Sequence, residues 1–196
     1  MTRRYELKQR AASLAQTRQR IVEATVALHG SVGPARTTIS AIAELAGVQR
    51  LTVYRHFPDE LALFQACSGH WATLHPAPDP ATWAEVADPA ERLGVALREL
   101  YAHHRATEQM TFNVRRDLPE LPAIQEIAAS RAPYWETVLA VLDRGWKTRG
   151  RRRALVRACI GHAVEFETWR SLARGQGLGD EAAADVMVDL ALAVAT

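Results

Sequence analysis

The sequence has few of the features that build disulfide frameworks, zinc sites or membrane spans. Only two cysteines, Cys67 and Cys159, occur in 196 residues, and no CxxC pair is present. No apolar run reaches the roughly 18 residues that a transmembrane helix needs. The first ten residues, MTRRYELKQR, are polar and contain no apolar segment of a secretory signal. We therefore expect a cytoplasmic protein with no membrane partner.

Motifs that carry catalysis are also missing. The chain has no HExxH zinc motif, no nucleophile elbow and no phosphate-binding loop. The adjacent His103 and His104 point about 100° apart on a helix, so they cannot easily chelate one metal ion. The glycine-rich segment 175–179 follows no strand pattern and is typical of a connector. We expect no enzymatic activity, no cofactor and no metal site.

Charge is distributed unevenly along the chain. Residues 1–57 carry nine Lys or Arg against three acidic residues, a net charge of +6, whereas the remainder carries 15 basic and 19 acidic residues, a net charge of −4. A basic N-terminal part on a mildly acidic body is typical of a polyanion-binding module joined to a second module. Chance clustering of basic residues is the alternative.

Apolar residues recur at helical spacing along most of the chain, and no run alternates with period two for long enough to form a strand. Besides a pair of short helices within 37–57, the pattern predicts helices over about 11–28, 59–75, 89–105, 108–116, 122–146, 153–174 and 180–194. The predicted fold class is all-α, with about nine helices.

The stretch Thr37 to Phe57, TTISAIAELAGVQRLTVYRHF, is typical of two short helices joined by a tight turn. Gly47 stands where a helix-turn-helix needs a residue that can adopt positive φ. The small Ala43, four residues earlier, allows the two helices to cross closely. These features alone fit a DNA-reading motif and an ordinary helical hairpin equally well.

A longer series of residues favours the DNA-reading motif over the ordinary helical hairpin. In chain order it comprises Arg20-Ile21, Ala24, Leu28, Gly33, Thr37-Thr38-Ile39, Ile42-Ala43, Ala46-Gly47-Val48, Thr52-Val53-Tyr54, His56-Phe57-Pro58 and Leu61. Residues 17–64 thereby resemble the DNA-binding domain of the tetracycline-repressor (TetR) family. The resemblance implies a three-helix, helix-turn-helix DNA-binding domain over 1–58 and a helical effector-binding and dimerisation domain over 59–196.

Three residues depart from the family pattern. The family usually has Ser or Thr where Gln49 stands, Gly where Leu51 stands, and near Glu60 a Lys that helps to hold a phosphate. Gln49 and Leu51 fall in the second short helix, which would read DNA. We therefore expect the recognised DNA sequence to be unusual for the family.

A reading helix must present side chains to base edges and donors to phosphates. Gln49 can pair with adenine, Arg50 with guanine, and Thr52 can meet a thymine methyl group. The predicted DNA-binding residues are Thr38, Gln49, Arg50, Thr52, Tyr54, Arg55 and His56. Packing against the first helix is the alternative for Tyr54, and an ordinary cap or surface role is the alternative for His56. A basic arm that can reach DNA or remain solvated comprises Arg3, Arg4, Lys8 and Arg10.

The second domain is rich in large polarisable side chains. Core packing explains most of them, but in resembling regulators some such groups line an apolar effector cavity between helices. The predicted contacts to a small apolar or amphipathic effector are Tyr101, His104, Phe112, Trp135, His162 and Phe166.

Apolar stripes also follow the last two predicted helices. In the family, two such helices pair with their copies in a four-helix dimer interface. The predicted interface residues are Cys159, His162, Phe166, Trp169, Ala183, Met187, Leu190 and Val194.

These features together predict a homodimeric transcriptional regulator, a ligand-responsive repressor that binds a near-palindromic operator in double-stranded DNA. Two other classes stay open. One is a helical dimeric interaction protein that has lost DNA affinity, which Leu51 and Glu60 favour. The other is an all-α enzyme with an internal apolar active site.

Overall fold

The computed structural model describes the backbone of residues 3–196 and the side chains of residues 5 and 7–196. The helices are α1 Arg3–Ser31, α2 Ile39–Leu45, α3 Arg50–His56, α4 Glu60–Leu74, α5 Pro80–Trp83, α6 Pro89–Ala106, α7 Glu108–Asp117, α8 Pro122–Ala129, α9 Ala132–Leu142, α10 Gly150–Ala163, α11 Phe166–Arg170 and α12 Asp180–Ala195. No strand occurs over residues 3–196. The all-α prediction is confirmed. Of the predicted basic arm, Lys8 and Arg10 are exposed on α1, whereas the side chains of Arg3 and Arg4 lie outside the described residues.

The chain divides into two compact units that are discontinuous in sequence. Unit 1 contains residues 1–76 and 108–130, and unit 2 contains residues 77–107 and 131–196. These units are defined by packing. The predicted division at residues 58 and 59 is one of function, and it stays a prediction.

In unit 1, α1 packs against α2, α4 and α7, and α4 packs against α8. The core of this unit is apolar, because α1 contributes Ile21 and Val22, α2 contributes Ile42, α3 contributes Val53, and α4 contributes Leu63. Helix α3 is therefore fixed to the rest of unit 1 by one apolar face.

In unit 2, α12 packs against both α6 and α10, and α5 packs against α9. The largest fully buried side chains of this unit include two tryptophans, Trp83 and Trp169. Each indole N–H has an acceptor: Trp83 Nε1 donates to Glu99 at 2.8 Å, and Trp169 Nε1 donates to Asp180 at 2.8 Å. Buried tryptophans are stable in a core when this donor is satisfied.

Two predicted long helices are each divided in the structure and the short helix α5 was not predicted, so twelve α-helices occur over the described residues. The predicted helix over 122–146 forms α8 and α9 instead, and it already ends at Leu142. Pro133 stands in the first turn of α9 and lacks the N–H that would continue a helix from α8. The predicted helix over 153–174 breaks after Ala163, where the Thr168 hydroxyl donates to the His162 carbonyl at 2.6 Å.

Over the described part of the chain, no helix is both long and apolar enough to cross a bilayer. The same residues contain no group of three or more His, Cys, Asp or Glu side chains arranged to hold a metal ion.

Candidate nucleic-acid interface

The two short helices α2 and α3 are joined by a turn that depends on Gly47. The Thr38 side chain accepts a hydrogen bond from the Ala41 N–H at 3.1 Å and thereby caps α2. After α2, Gly47 has a φ of 63°, in the left-handed region that glycine adopts without strain. The Val48 N–H then donates to the Ala43 carbonyl at 2.9 Å and closes the turn. The residue types at these positions therefore define where α3 begins.

Helix α3 has a buried side and an exposed side. Val53 and Phe57 are 0% and 3% exposed and anchor the helix in the core of unit 1. Thr52 and His56 are half-buried. The exposed residues along and immediately before the helix are Gln49, Arg50, Leu51, Tyr54 and Arg55. The Gln49 side chain makes no capping hydrogen bond, so its amide is not engaged at the start of α3.

Neighbouring elements hold the C-terminal end of α3 in position. The Arg18 guanidinium of α1 lies 4.7 Å from the centroid of the Phe57 ring, a cation–π contact. Just beyond α3, the Asp59 carboxylate accepts a hydrogen bond from the Ala62 N–H at 2.7 Å and caps α4. The chain thus leaves α3 and enters α4 along a defined path.

His56 ends α3 in a cationic environment. Partial burial, together with the neighbouring charges of Arg55 and Arg18, lowers the pKa of the imidazole below its usual value. This shift favours the neutral form of the ring. Its Nε2 atom is buried and has no hydrogen-bond partner among the described residues. The predicted phosphate contact of His56 stays a prediction.

Helix α7 contributes three polar residues that hold the segment leading into α2. We call Asn113, Arg116 and Asp117 the α7 clasp. The Asn113 amide donates to the carbonyls of His29 and Gly30 at 2.9 and 3.0 Å, at the end of α1. The Arg116 guanidinium donates to the Val32 carbonyl at 2.9 Å, and the Asp117 carboxylate accepts from the Ala35 N–H at 3.0 Å.

The clasp is itself internally paired. Arg116 Nε donates to the Asp117 carboxylate at 2.6 Å. This hydrogen bond is the main cause that lowers the pKa of Asp117, and it outweighs the opposing effect of partial burial. Sequence analysis missed these residues. The only local signal was a polar pair, Asn113 and Asp117, four apart on the face of α7 that also carries Met110.

The residues predicted to bind an effector are found in different surroundings. Tyr101, His104 and Phe166 lie together in the core of unit 2. The Tyr101 hydroxyl donates to the Ala163 carbonyl at 2.8 Å, and burial raises the pKa of this phenol. The His104 ring lies edge-on to Phe166, with their centroids 5.5 Å apart.

The other three predicted effector residues are not part of this cluster. Trp135 is half-buried on α9, where its ring meets Tyr134 edge-on at 5.1 Å between centroids. His162 is exposed on α10. Phe112 is half-buried on α7 and belongs to unit 1. An effector role for all six residues stays a prediction.

The residues predicted to form a dimer interface divide into two sets. Phe166, Trp169, Ala183 and Met187 are at most 4% exposed and pack inside unit 2. The others are at least partly accessible: Cys159, His162, Leu190 and Val194. Helical spacing identifies both sets of positions. It does not distinguish residues that face the core of unit 2 from residues that face outwards.

The segment around α2 and α3 is similar to a known family. Residues 21–67 match the family described as "Bacterial regulatory proteins, tetR family". The HTH-type transcriptional regulator TtgR of Pseudomonas putida is 40% identical over 86 residues, which span 43% of this chain and 39% of TtgR. The match therefore covers well under two thirds of that relative.

Solved structures share the fold over most of the chain. A TetR-like transcriptional regulator from Rhodococcus sp. RHA1 has a TM-score of 0.63 at 22% identity, covering 90% of this chain and 93% of that one. NalD of Pseudomonas aeruginosa, described as the secondary repressor of the MexAB-OprM multidrug efflux pump, has a TM-score of 0.56 at 18% identity, covering 92% and 96%. At these identities the likeness shows the fold. Residues 21–67 thus match the tetR family of bacterial regulatory proteins, and the chain as a whole shares the fold of solved TetR-like regulators.

Proposed function

We propose that this protein is a homodimeric, ligand-responsive repressor that binds a near-palindromic operator in double-stranded DNA. The observation that carries the proposal is the two-sided character of α3. Val53 and Phe57 fix one side in the core of unit 1, while polar side chains on the other side are free of packing. A helix held in this way can present a rigid set of side chains to a major groove.

The exposed residues of α3 suit the chemistry of base edges. The Gln49 amide can bond the N6 and N7 atoms of adenine, and the Arg50 guanidinium can bond O6 and N7 of guanine. The hydroxyls of Tyr54 and Thr38, together with Arg55, are suited to flanking phosphates. The net charge of +6 over residues 1–57 supports the same polyanionic partner.

Dimerisation would use the outer faces of α10 and α12, which pack against each other in unit 2. Leu155, Val186 and Leu190 are 41%, 46% and 43% exposed. A second copy placed by a two-fold axis would cover this apolar surface. The buried Phe166, Trp169, Ala183 and Met187 would support the interface from behind.

An effector would act by binding one arrangement of the dimer better than another. Its effect on DNA binding is limited to that difference in affinity. The aromatic groups around Tyr101 and His104 in unit 2 support an apolar or amphipathic effector. Because a dimer seated on a promoter occludes it, we propose repression. The protein would act in the cytoplasm.

The test is a binding titration on duplex DNA from directly upstream of the protein's own gene, repeated across salt concentrations. We expect tight binding whose logarithm falls linearly with the logarithm of salt concentration, by about 0.9 per phosphate contacted. A scrambled duplex of equal length should bind weakly under the same conditions. Equal affinity for both duplexes, or no binding at low salt, would contradict the proposal and favour the interaction protein or the enzyme.

A further inference from the structure

Leu51 is the most exposed large apolar residue of the described chain, with 76% of its surface accessible. It is the second residue of α3, directly after Arg50. Residues three and four apart share one face of a helix, so Leu51 lies on the same face as Tyr54 and Arg55. An isolated exposed leucine is ordinary on a protein surface, but this one stands in the middle of the proposed reading surface.

The major groove offers one apolar feature that distinguishes a base. Thymine carries a C5 methyl group, whereas the other three bases present only donors and acceptors there. We propose that Leu51 reads a thymine C5 methyl group, so that each operator half-site contains a thymine beside the bases that Gln49 and Arg50 contact. This inference rests on the proposed function and deepens it by naming a base.

The surroundings of Leu51 favour DNA over a protein partner as the occupant. Exposed Arg50 precedes it, and exposed Tyr54 and Arg55 share its face, so the leucine is accompanied by two cationic side chains and a phenol hydroxyl. A cationic surface with one exposed leucine complements a negatively charged major groove that presents one thymine methyl group. Thr52 also has a methyl group, but its side chain is half-buried.

The test uses an operator that the wild-type protein selects from a pool of random duplexes. Each thymine of a half-site is then replaced singly by deoxyuridine, which keeps the base pair and the O4 acceptor but lacks the methyl group. We expect one position at which this change weakens wild-type binding about fourfold, the value for burying one methyl group. For Leu51→Ala, binding at that same position should differ less than about twofold between thymine and deoxyuridine.

Leu74→Ala is the matched control. Leu74 is also strongly exposed, at 58%, but it ends α4 outside the reading surface. We expect this variant to keep the wild-type response to deoxyuridine. Thermal unfolding of both variants should match the wild-type protein, because each truncates an exposed side chain.

Several results would overturn the inference while leaving the proposed function in place. They are a selected operator without thymine in its half-sites, equal wild-type binding to all the deoxyuridine duplexes, and an undiminished response in Leu51→Ala. Failure of the protein to select any duplex would instead overturn the proposed function. A protein partner that binds wild type but not Leu51→Ala, in a chain insensitive to deoxyuridine, would assign Leu51 to that partner and overturn the inference.

Discussion

The Asp117 carboxylate accepts a hydrogen bond at 3.0 Å from the backbone N–H of Ala35, 82 residues earlier in the chain. Ala35 lies in the short 3-10 turn Pro34–Arg36, which leads from α1 into α2. A helix from much later in the sequence therefore fixes the entry to the helix-turn-helix. Because the contact lies within one compact unit, it bears on the stability of the DNA-reading part of the chain.

Asn113→Leu should destabilise unit 1. Asn113 is 1% exposed, and its amide satisfies two carbonyls at the end of α1. Removing the donor leaves buried acceptors unpaired, at a cost of about 2–3 kcal/mol in the free energy of unfolding. Urea unfolding measures this change. Gln65→Leu, at an exposed position of α4, is the control and should stay within about 0.5 kcal/mol of wild type. Equal effects of the two substitutions would contradict a structural role for the clasp.

Gly33→Ala and Gly69→Ala should shift stability in opposite directions. Gly33 has a φ of 96°, and an added Cβ would collide with the Arg116 guanidinium and lie 2.6 Å from the Asp117 carboxylate. We expect a loss of about 2 kcal/mol or more. Gly69 lies within α4, where an added Cβ meets nothing within 4 Å. There the better helix former should gain about 0.5–1 kcal/mol. Thermal unfolding of both variants measures these changes in stability. A Gly33→Ala protein as stable as wild type would show that the Arg116 and Asp117 side chains move aside at little cost.

Unit 1 should lose stability as the pH falls from 6.5 towards 4. Burial lowers the pKa of His29 from 6.5 to about 4, against a smaller opposing effect of Asp117. Within this range the unfolded chain binds a proton at His29 that the folded chain does not, so the free energy of unfolding decreases with decreasing pH. The expected loss between pH 7 and pH 5 is about 2 kcal/mol.

The measurement for His29 is urea unfolding at pH 5, 6 and 7, with His29→Gln as the comparison. The glutamine side chain of this variant carries no titrating group, so the difference in stability between pH 7 and pH 5 should shrink by about 2 kcal/mol. The same pH dependence in both proteins would mean that other groups cause it.

Leu190→Lys should weaken the proposed dimer. Leu190 is 43% exposed on the outer face of α12, and a lysine there would place a charge in an apolar interface. We expect sedimentation velocity to show dimers for the wild-type protein and mainly monomers for the variant. Leu139→Lys changes a leucine of similar exposure, 39%, on α9, and it should leave the dimer intact. A monomeric wild-type protein would remove the basis for two-fold operator binding.

The sequence alone predicted the features that depend on residues close together along the chain. The Gly47 turn and the division of α3 into buried and exposed residues follow from spacing over a few residues. The α7 clasp could not be predicted, since Asn113 and Asp117 bond groups that lie more than 80 residues away. No local pattern identifies such partners.

Periodicity also identifies apolar faces without identifying what covers them. Trp169 and Met187 are predicted at an interface and are buried inside unit 2 of a single copy, so their part in an interface stays a prediction. Val186, at the same helical spacing, is exposed on α12, and Leu155, which the spacing did not single out, is exposed on α10. Similarly, the single helix predicted over 122–146 ignored the missing N–H of Pro133.

The most direct test of the proposed function compares wild type with the double variant Gln49→Ala, Arg50→Ala on the upstream duplex and on a scrambled duplex. Both residues are exposed at the start of α3, so the variant should fold normally. We predict that it loses the preference for the upstream duplex but keeps most of the salt-dependent affinity for scrambled DNA, because the phosphate contacts of other residues remain. An unchanged preference for the upstream duplex would contradict the assignment of α3 as the reading helix.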